Sequence, residues 1–166
     1  MTRVVRWLGI SALVLAVDRI TKLYVTYTLD VGEYVPVLPV FGWIHLNNRG
    51  AAFSFLHDAG GWQRWFFVAL AIAFSIYLLY ELKRLGPRPK GIDLLYAWGF
   101  ALVMGGALGN LYDRAVHGHV VDFVLVHYRD YYFPAFNVAD SGITVGAILW
   151  ILAMILEARR KRAAGA

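Results

Sequence analysis

Four carboxylates stand in or beside apolar stretches of this chain: Asp18, Asp113, Asp122 and Asp140. A carboxylate in or against lipid is costly, so each needs a partner or a task. Asp18 is followed four residues on by Lys22, which puts the two on one helix face; the pair neutralises itself, with Lys22 snorkelling toward the outer headgroups. Asp113 and Arg114 are neighbours and so face different partners on a helix, Arg114 being suited to a lipid phosphate or an outer carboxylate. Asp122, in Gly118-His119-Val120-Val121-Asp122-Phe123, is wedged among apolar residues with no structural excuse. Asp140 lies three residues after Asn137, the spacing of a capping box, and capping alone could explain it. A carboxylate in a first helical turn also faces the positive end of the helix dipole and ionises more readily, which makes Asp140 the better base.

If Asp122 and Asp140 meet, they cannot both ionise easily and share a proton. That is what peptide hydrolysis without a nucleophile requires: one carboxylate takes a proton from water while the other donates toward the carbonyl oxygen. On spacing alone two other classes use the same residues. One is a transporter with carboxylates along a proton or cation path; the other is a lipid-headgroup transferase whose aspartates hold a divalent ion. The histidines, His45, His57, His117, His119 and His127, are spaced for surface or interfacial roles rather than for a metal site. The chain has no cysteine, which excludes disulfides, thiolate ligands, a cysteine nucleophile and a lipidated cysteine of its own.

The elements that must position these acids are membrane helices. With 60% hydrophobic residues and a mean hydropathy of +0.56, the 166 residues read as one integral membrane domain, residues 1–166. Four apolar stretches approach the roughly 20 residues needed to cross a bilayer, at about 7–27, 62–82, 92–112 and 137–156. Asp18, Arg19 and Lys22 follow the first apolar run where a cleavage site would lie, so it reads as a retained anchor. The formal charge of +5 does not point to nucleic acid, because the basic residues cluster just outside the apolar runs. Arg3 and Arg6, then Lys83, Arg84, Arg88 and Lys90, then Arg159, Arg160, Lys161 and Arg162 make both termini and the link between spans two and three cytoplasmic.

The outer segments are then 28–61 and 113–136. The first holds Tyr34-Val35-Pro36-Val37 and Trp43-Ile44-His45-Leu46, broken by Pro39 and Gly42, which predicts a small hairpin or curled sheet. Its aromatic residues Tyr34, Phe41, Trp43, Phe53 and Phe55, with Trp62, suit the headgroup level. The link Gly86-Pro87-Arg88-Pro89-Lys90-Gly91 makes spans two and three an antiparallel hairpin. Gly105 and Gly109, and Gly142 and Gly146, allow close helix approach. The expected fold is an all-α membrane protein of four transmembrane helices, with a β-cradle between helices 1 and 2 and a loop or helix between helices 3 and 4.

Five words of the sequence resemble the bacterial prolipoprotein signal peptidases, signal peptidase II, over nearly the whole chain. They are Asp18-Arg19-Ile20-Thr21-Lys22, Asn48-Arg49-Gly50-Ala51-Ala52-Phe53-Ser54, Gly109-Asn110-Leu111-Tyr112-Asp113-Arg114, Val120-Val121-Asp122-Phe123 and Phe136-Asn137-Val138-Ala139-Asp140. The resemblance implies an aspartic endopeptidase with Asp122 and Asp140 as its catalytic dyad. It implies substrate-binding or ordering roles for Asn48, Asn110, Arg114 and Asn137, and supporting roles for Asp18, Lys22 and Gly50. No cofactor or metal is implied. The implied substrate is a diacylglyceryl-modified prolipoprotein, cut on the amino side of its lipidated lipobox cysteine. The implied setting is the cytoplasmic (inner) membrane, with membrane lipids around a monomer, the site near the periplasmic face, and inhibition by globomycin-type cyclic peptides. Arg49 departs from the family, where a small polar residue is common, and the expected consequence is altered contact with the substrate backbone.

Overall fold

The computed structural model describes residues 2–50, 60–86 and 88–165, with side chains from Val4 onward. The Arg3 side chain, Pro87, and Ala51 to Ser54, Phe55 and His57 of the first outer segment lie outside the described residues. The chain runs α1 (Thr2–Thr28), β1 (Tyr34–Leu38), β2 (Phe41–Asn48), α2 (Trp62–Arg84), α3 (Ile92–His117), β3 (Val120–Tyr128), β4 (Tyr131–Tyr132) and α4 (Val138–Ala164).

The four helices fall on the four apolar stretches, and α2, α3 and α4 are long and apolar enough to cross a membrane. Helix α1 is as long as α4 but carries Asp18, Arg19 and Lys22 in its second half. Asp18 and Lys22 are turned wholly inward. Large apolar side chains such as Leu13, Ile76 and Ile148 face outward instead. That distribution suits a lipid surround, where the outside is as apolar as the core.

The helices approach closely through small residues. A Cβ on Gly105 would meet the Ser11 carbonyl oxygen of α1 at 2.7 Å, and one on Gly146 would meet the Gly99 carbonyl oxygen of α3 at 2.7 Å. A Cβ on Gly142 would lie 3.1 Å from Val14 of α1, and one on Gly109 would lie 2.7 Å from the Asp18 carboxylate. The expected small-residue contacts therefore form, and Gly99 and Gly106 add two more. Gly106 backs directly onto the Ala139 carbonyl oxygen in the first turn of α4. Around these contacts Trp7, Leu78, Leu82, Phe100, Val103 and Met104 build the apolar core.

The segment between α3 and α4 corrects the expected all-α fold: it is strand, not loop or helix. β3 pairs antiparallel with β2 and completes a four-stranded sheet in the order β1-β2-β3-β4. The first half of β3 is buried throughout, so it reads as an unbroken apolar run without the alternation that marks a half-exposed strand. β1 lies at the sheet edge, where Pro36 can stand opposite Gly42 without depriving an inner strand of a donor. A shift in register between Trp43 and Leu46 sets Leu46 opposite Asp122 and Asn48 opposite Val120. Asn48 and Asp122 are thereby neighbours across the ladder.

Candidate active site

Two structural ties bring Asp122 and Asp140 to one place. β3 carries Asp122, and its neighbours Phe123 and Val124 donate backbone hydrogen bonds to the Phe136 carbonyl at 3.0 and 2.8 Å. The next residue, Asn137, is the N-cap of α4, so the bridge between Val124 and Phe136 sets the start of that helix beside the strand. The capping box expected from sequence is present: the Asn137 side chain accepts from the Asp140 N–H at 2.9 Å. The Asn137 N–H in turn donates to Asp140 Oδ2 at 3.2 Å.

Asn137 does more than cap. Wholly buried, it also donates through Nδ2 to Asp122 Oδ1 at 2.7 Å, so one side chain touches both aspartates. Asn48 Nδ2 donates to Asp122 Oδ2 at 2.9 Å, and Asn110 Nδ2 donates to Asp140 Oδ1 at 2.7 Å. Each carboxylate thus accepts on both oxygens, and every donor among the described residues is a neutral amide. Asp122 is pushed up to about 7, by burial first and by the charge of Asp140 second; the bonds from Asn48 and Asn137 pull it down and lose.

The two aspartates open into one cavity of about 500 Å³, lined also by Asn48, Asn110 and Arg114 and by apolar Val120, Phe136, Ile143 and Val145. Arg114 lies over the Phe67 ring and donates to the Gly50 carbonyl at 3.0 Å, while the Gly50 N–H donates to Asn48 Oδ1 at 3.0 Å. Gly50 is therefore pinned between two residues of the cavity wall. Arg114 spends this bond on the outer segment's backbone rather than on a carboxylate.

Asp18 and Asp113 belong to a different arrangement. Lys22 Nζ sits 2.8 Å from Asp18 Oδ2 and 2.8 Å from Asp113 Oδ2, and Arg19 also pairs with Asp113. The expected Asp18–Lys22 pair forms, but Lys22 does not snorkel: it is 1% exposed and points into the bundle. Its third donor goes to Asn110 Oδ1 at 3.0 Å, and Asp18 Oδ1 accepts the Ala139 N–H at 2.8 Å. Both contacts end one bond short of Asp140. Neither Asp18 nor Asp113 lines the cavity, whereas the transporter alternative needs all four acids along one path. Sequence reasoning missed Arg19 as Asp113's partner and the Ala139 amide as Asp18's; only the position of Arg19 beside Asp18 hinted at the first.

The described histidines stand apart from the cavity. His45 Nδ1 bonds the Leu29 carbonyl at 2.9 Å and His127 Nε2 bonds the Tyr34 hydroxyl at 3.2 Å. Arg49 is also absent from the cavity lining and lies in the wall of a second cavity.

Residues 10–156 match the family model described as signal peptidase (SPase) II. Among similar proteins, the lipoprotein signal peptidase of Ectopseudomonas mendocina is 54% identical over 150 residues, covering 89% of this chain and 86% of that protein. The lipoprotein signal peptidase of Ralstonia nicotianae is 46% identical, with 93% and 86% covered. A solved bacterial membrane enzyme, obtained by the in meso method, superimposes with a TM-score of 0.81 at 31% identity, covering 94% of this chain and 91% of that one.

Proposed function

The chain belongs to the signal peptidase II family, a family of membrane peptidases, and from that premise we propose that it removes signal peptides from diacylglyceryl-modified prolipoproteins with Asp122 and Asp140 as its catalytic dyad. The observation that carries this reading is the pair of aspartates in one cavity, tied by Asn137 and, among the described residues, offered only neutral hydrogen-bond donors. Asp122, raised to about 7, holds the shared proton at rest. Asp140 takes a proton from a water held between the carboxylates as that water attacks the scissile carbonyl. Asp122 gives its proton to the carbonyl oxygen, and the leaving nitrogen is protonated as the tetrahedral intermediate collapses. The bond cut is that on the amino side of the lipidated cysteine.

Asn48, Asn110 and Asn137 hold the carboxylates, and Arg114 with Gly50 shapes the wall along which the substrate backbone lies. The apolar remainder of the cavity fits a substrate that arrives by lateral diffusion and is anchored by acyl chains. The same groove suits a cyclic peptide of the globomycin type. The buried pairing of Asp18 with Lys22, and the pairing of Arg19 with Asp113, support α1 as a fourth span, because they offset the charges that would oppose insertion. The basic clusters around Arg84 and Arg160 support cytoplasmic termini, with the dyad at the periplasmic face of the inner membrane.

Asp122→Asn and Asp140→Asn test this directly. Each is expected to yield a folded, membrane-inserted protein that no longer cleaves a diacylglyceryl precursor peptide in micelles. Cleavage retained by either removes the dyad.

A further inference from the structure

A second cavity, of about 340 Å³, lies away from the aspartates and is lined by Arg49, Arg64, Trp65, His117 and His119, together with Gly61, Gln63 and Gly118. Among the described residues no acid is in that lining. It forms between the start of α2 and the end of α3, two helices of spanning length, and therefore at the depth where headgroups meet a bilayer. The chain's other basic clusters, around Arg84 and Arg160, are at the opposite ends of α2 and α4.

The walls are built for this. Gly118 takes a left-handed turn at φ 81°, which ends α3 and swings His119 back beside His117; their rings stand 6.1 Å apart. Gly118 has no side chain, so the Arg64 guanidinium packs against it: a Cβ there would meet Arg64 Nη1 at 3.3 Å. Arg64 Nη2 donates to the Ala115 carbonyl at 2.7 Å, and the guanidinium lies 4.8 Å from the Trp65 ring centre, which fixes its plane. Arg64 Nε is buried without a hydrogen-bond partner among the described residues. Burial, then His117, hold His119 below the usual histidine range, so at neutral pH it serves as a neutral donor beside two permanent cations. Trp62 and Trp65 are both more than half exposed at the rim, as indoles at a headgroup level are.

We propose that this cavity binds the phosphate of an anionic membrane phospholipid, with Arg49 and Arg64 as its charged partners and His117, His119 and the indole of Trp65 around the headgroup. Guanidinium groups match phosphate oxygens in geometry as well as charge. A zwitterionic lipid brings an ammonium that the described residues of this lining have no acid to meet. Arg49, which departs from the family's usual small residue, is on this account a lipid contact and not a substrate contact.

The test uses the full chain in detergent micelles, with bound lipid read by native mass spectrometry and affinity by titration with phosphatidylglycerol, phosphatidylcholine or inorganic phosphate. Phosphatidylglycerol is expected to bind more tightly than phosphatidylcholine. Arg49→Ser, which removes an exposed charge, should weaken phosphatidylglycerol binding about fivefold. Arg64→Gln should weaken it about tenfold or more. Since Arg64 also bonds the Ala115 carbonyl, Arg49→Ser keeps the test valid if Arg64→Gln fails to fold. Equal binding of the two lipids, or unchanged phosphatidylglycerol binding in Arg49→Ser, overturns the proposal. Inorganic phosphate that displaces the lipid and shows the same sensitivity to Arg49→Ser assigns the cavity to a free anion and overturns the lipid assignment.

Discussion

Two pairs of aspartates lie near each other in this bundle under opposite rules. Asp18 and Asp113 are completely buried and matched by cations, with Lys22 shared between them and Arg19 on Asp113. Among the described residues Asp122 and Asp140 have no cation in hydrogen-bond contact; their donors are the side-chain amides of Asn48, Asn110 and Asn137 and the Asn137 backbone N–H of the capping box. The first pair is neutralised by cations, whereas in the second the charge of Asp140 helps push Asp122 up to about 7, which on the proposed reading lets the pair share a proton. On the proposed reading, the partner is what separates a structural from a catalytic acid here, since the burial of Asp113 and Asp122 differs little.

The largest break in the comparison is chemical. Asp122→Asn or Asp140→Asn should lower cleavage by about 10²–10⁴-fold, the usual worth of general acid–base catalysis, with thermal unfolding hardly changed. The mirror-image change is Lys22→Met, which leaves two buried carboxylates facing each other; it should cost about 3–5 kcal/mol and be seen as loss of folded protein or a much lower unfolding temperature in micelles. A Lys22→Met protein as stable as the parent would mean that the first pair is not held by charge.

Geometry offers a smaller break. Gly106→Ala would push against the Ala139 carbonyl, at the turn that carries Asp140, and should destabilise by about 1–3 kcal/mol while lowering kcat more than it raises KM. Unfolding and Michaelis–Menten curves on the same preparation check both halves.

The smallest effect is set by pH. Asp122 is raised to about 7, so its proton is present below that value and cleavage should fall about tenfold per unit as pH rises beyond it. Stability carries the same sign. Between the unfolded carboxyl value near 3.8 and about 7 the folded state binds the extra proton. That contribution is complete below 3.8, is lost as pH rises to about 7, and is absent in Asp122→Asn. A cleavage profile flat from pH 6 to 9 would contradict the assignment.

The helices were legible because apolar length needs no knowledge of partners, and Asn137 and Asp140 because a capping box is local in sequence. β3 was not legible. Val120 to Leu125 is buried on both faces, so its periodicity is silent, and its partner β2 lies some seventy residues earlier, beyond any local signal. Lys22 failed for a related reason: helical spacing finds Asp18 four residues away but not Asp113 or Asn110 on another helix, and without them a lysine near a helix end reads as one reaching for headgroups. The proposed dyad was half legible. Asp122 stood out by lacking any partner in its own segment, and only the Val124–Phe136 bridge explains how it meets Asp140.

The shared proton is tested most directly by following the Asp122 carboxyl through a pH titration in micelles, by infrared difference or carboxyl-labelled NMR, in the parent and in Asp140→Asn. Asp122 should titrate near 7 in the parent and lower in Asp140→Asn, yet still above the ordinary carboxyl range because burial remains. Titration near 4 in the parent, or an unchanged value near 7 in the variant, would contradict a dyad that holds one proton between two carboxylates.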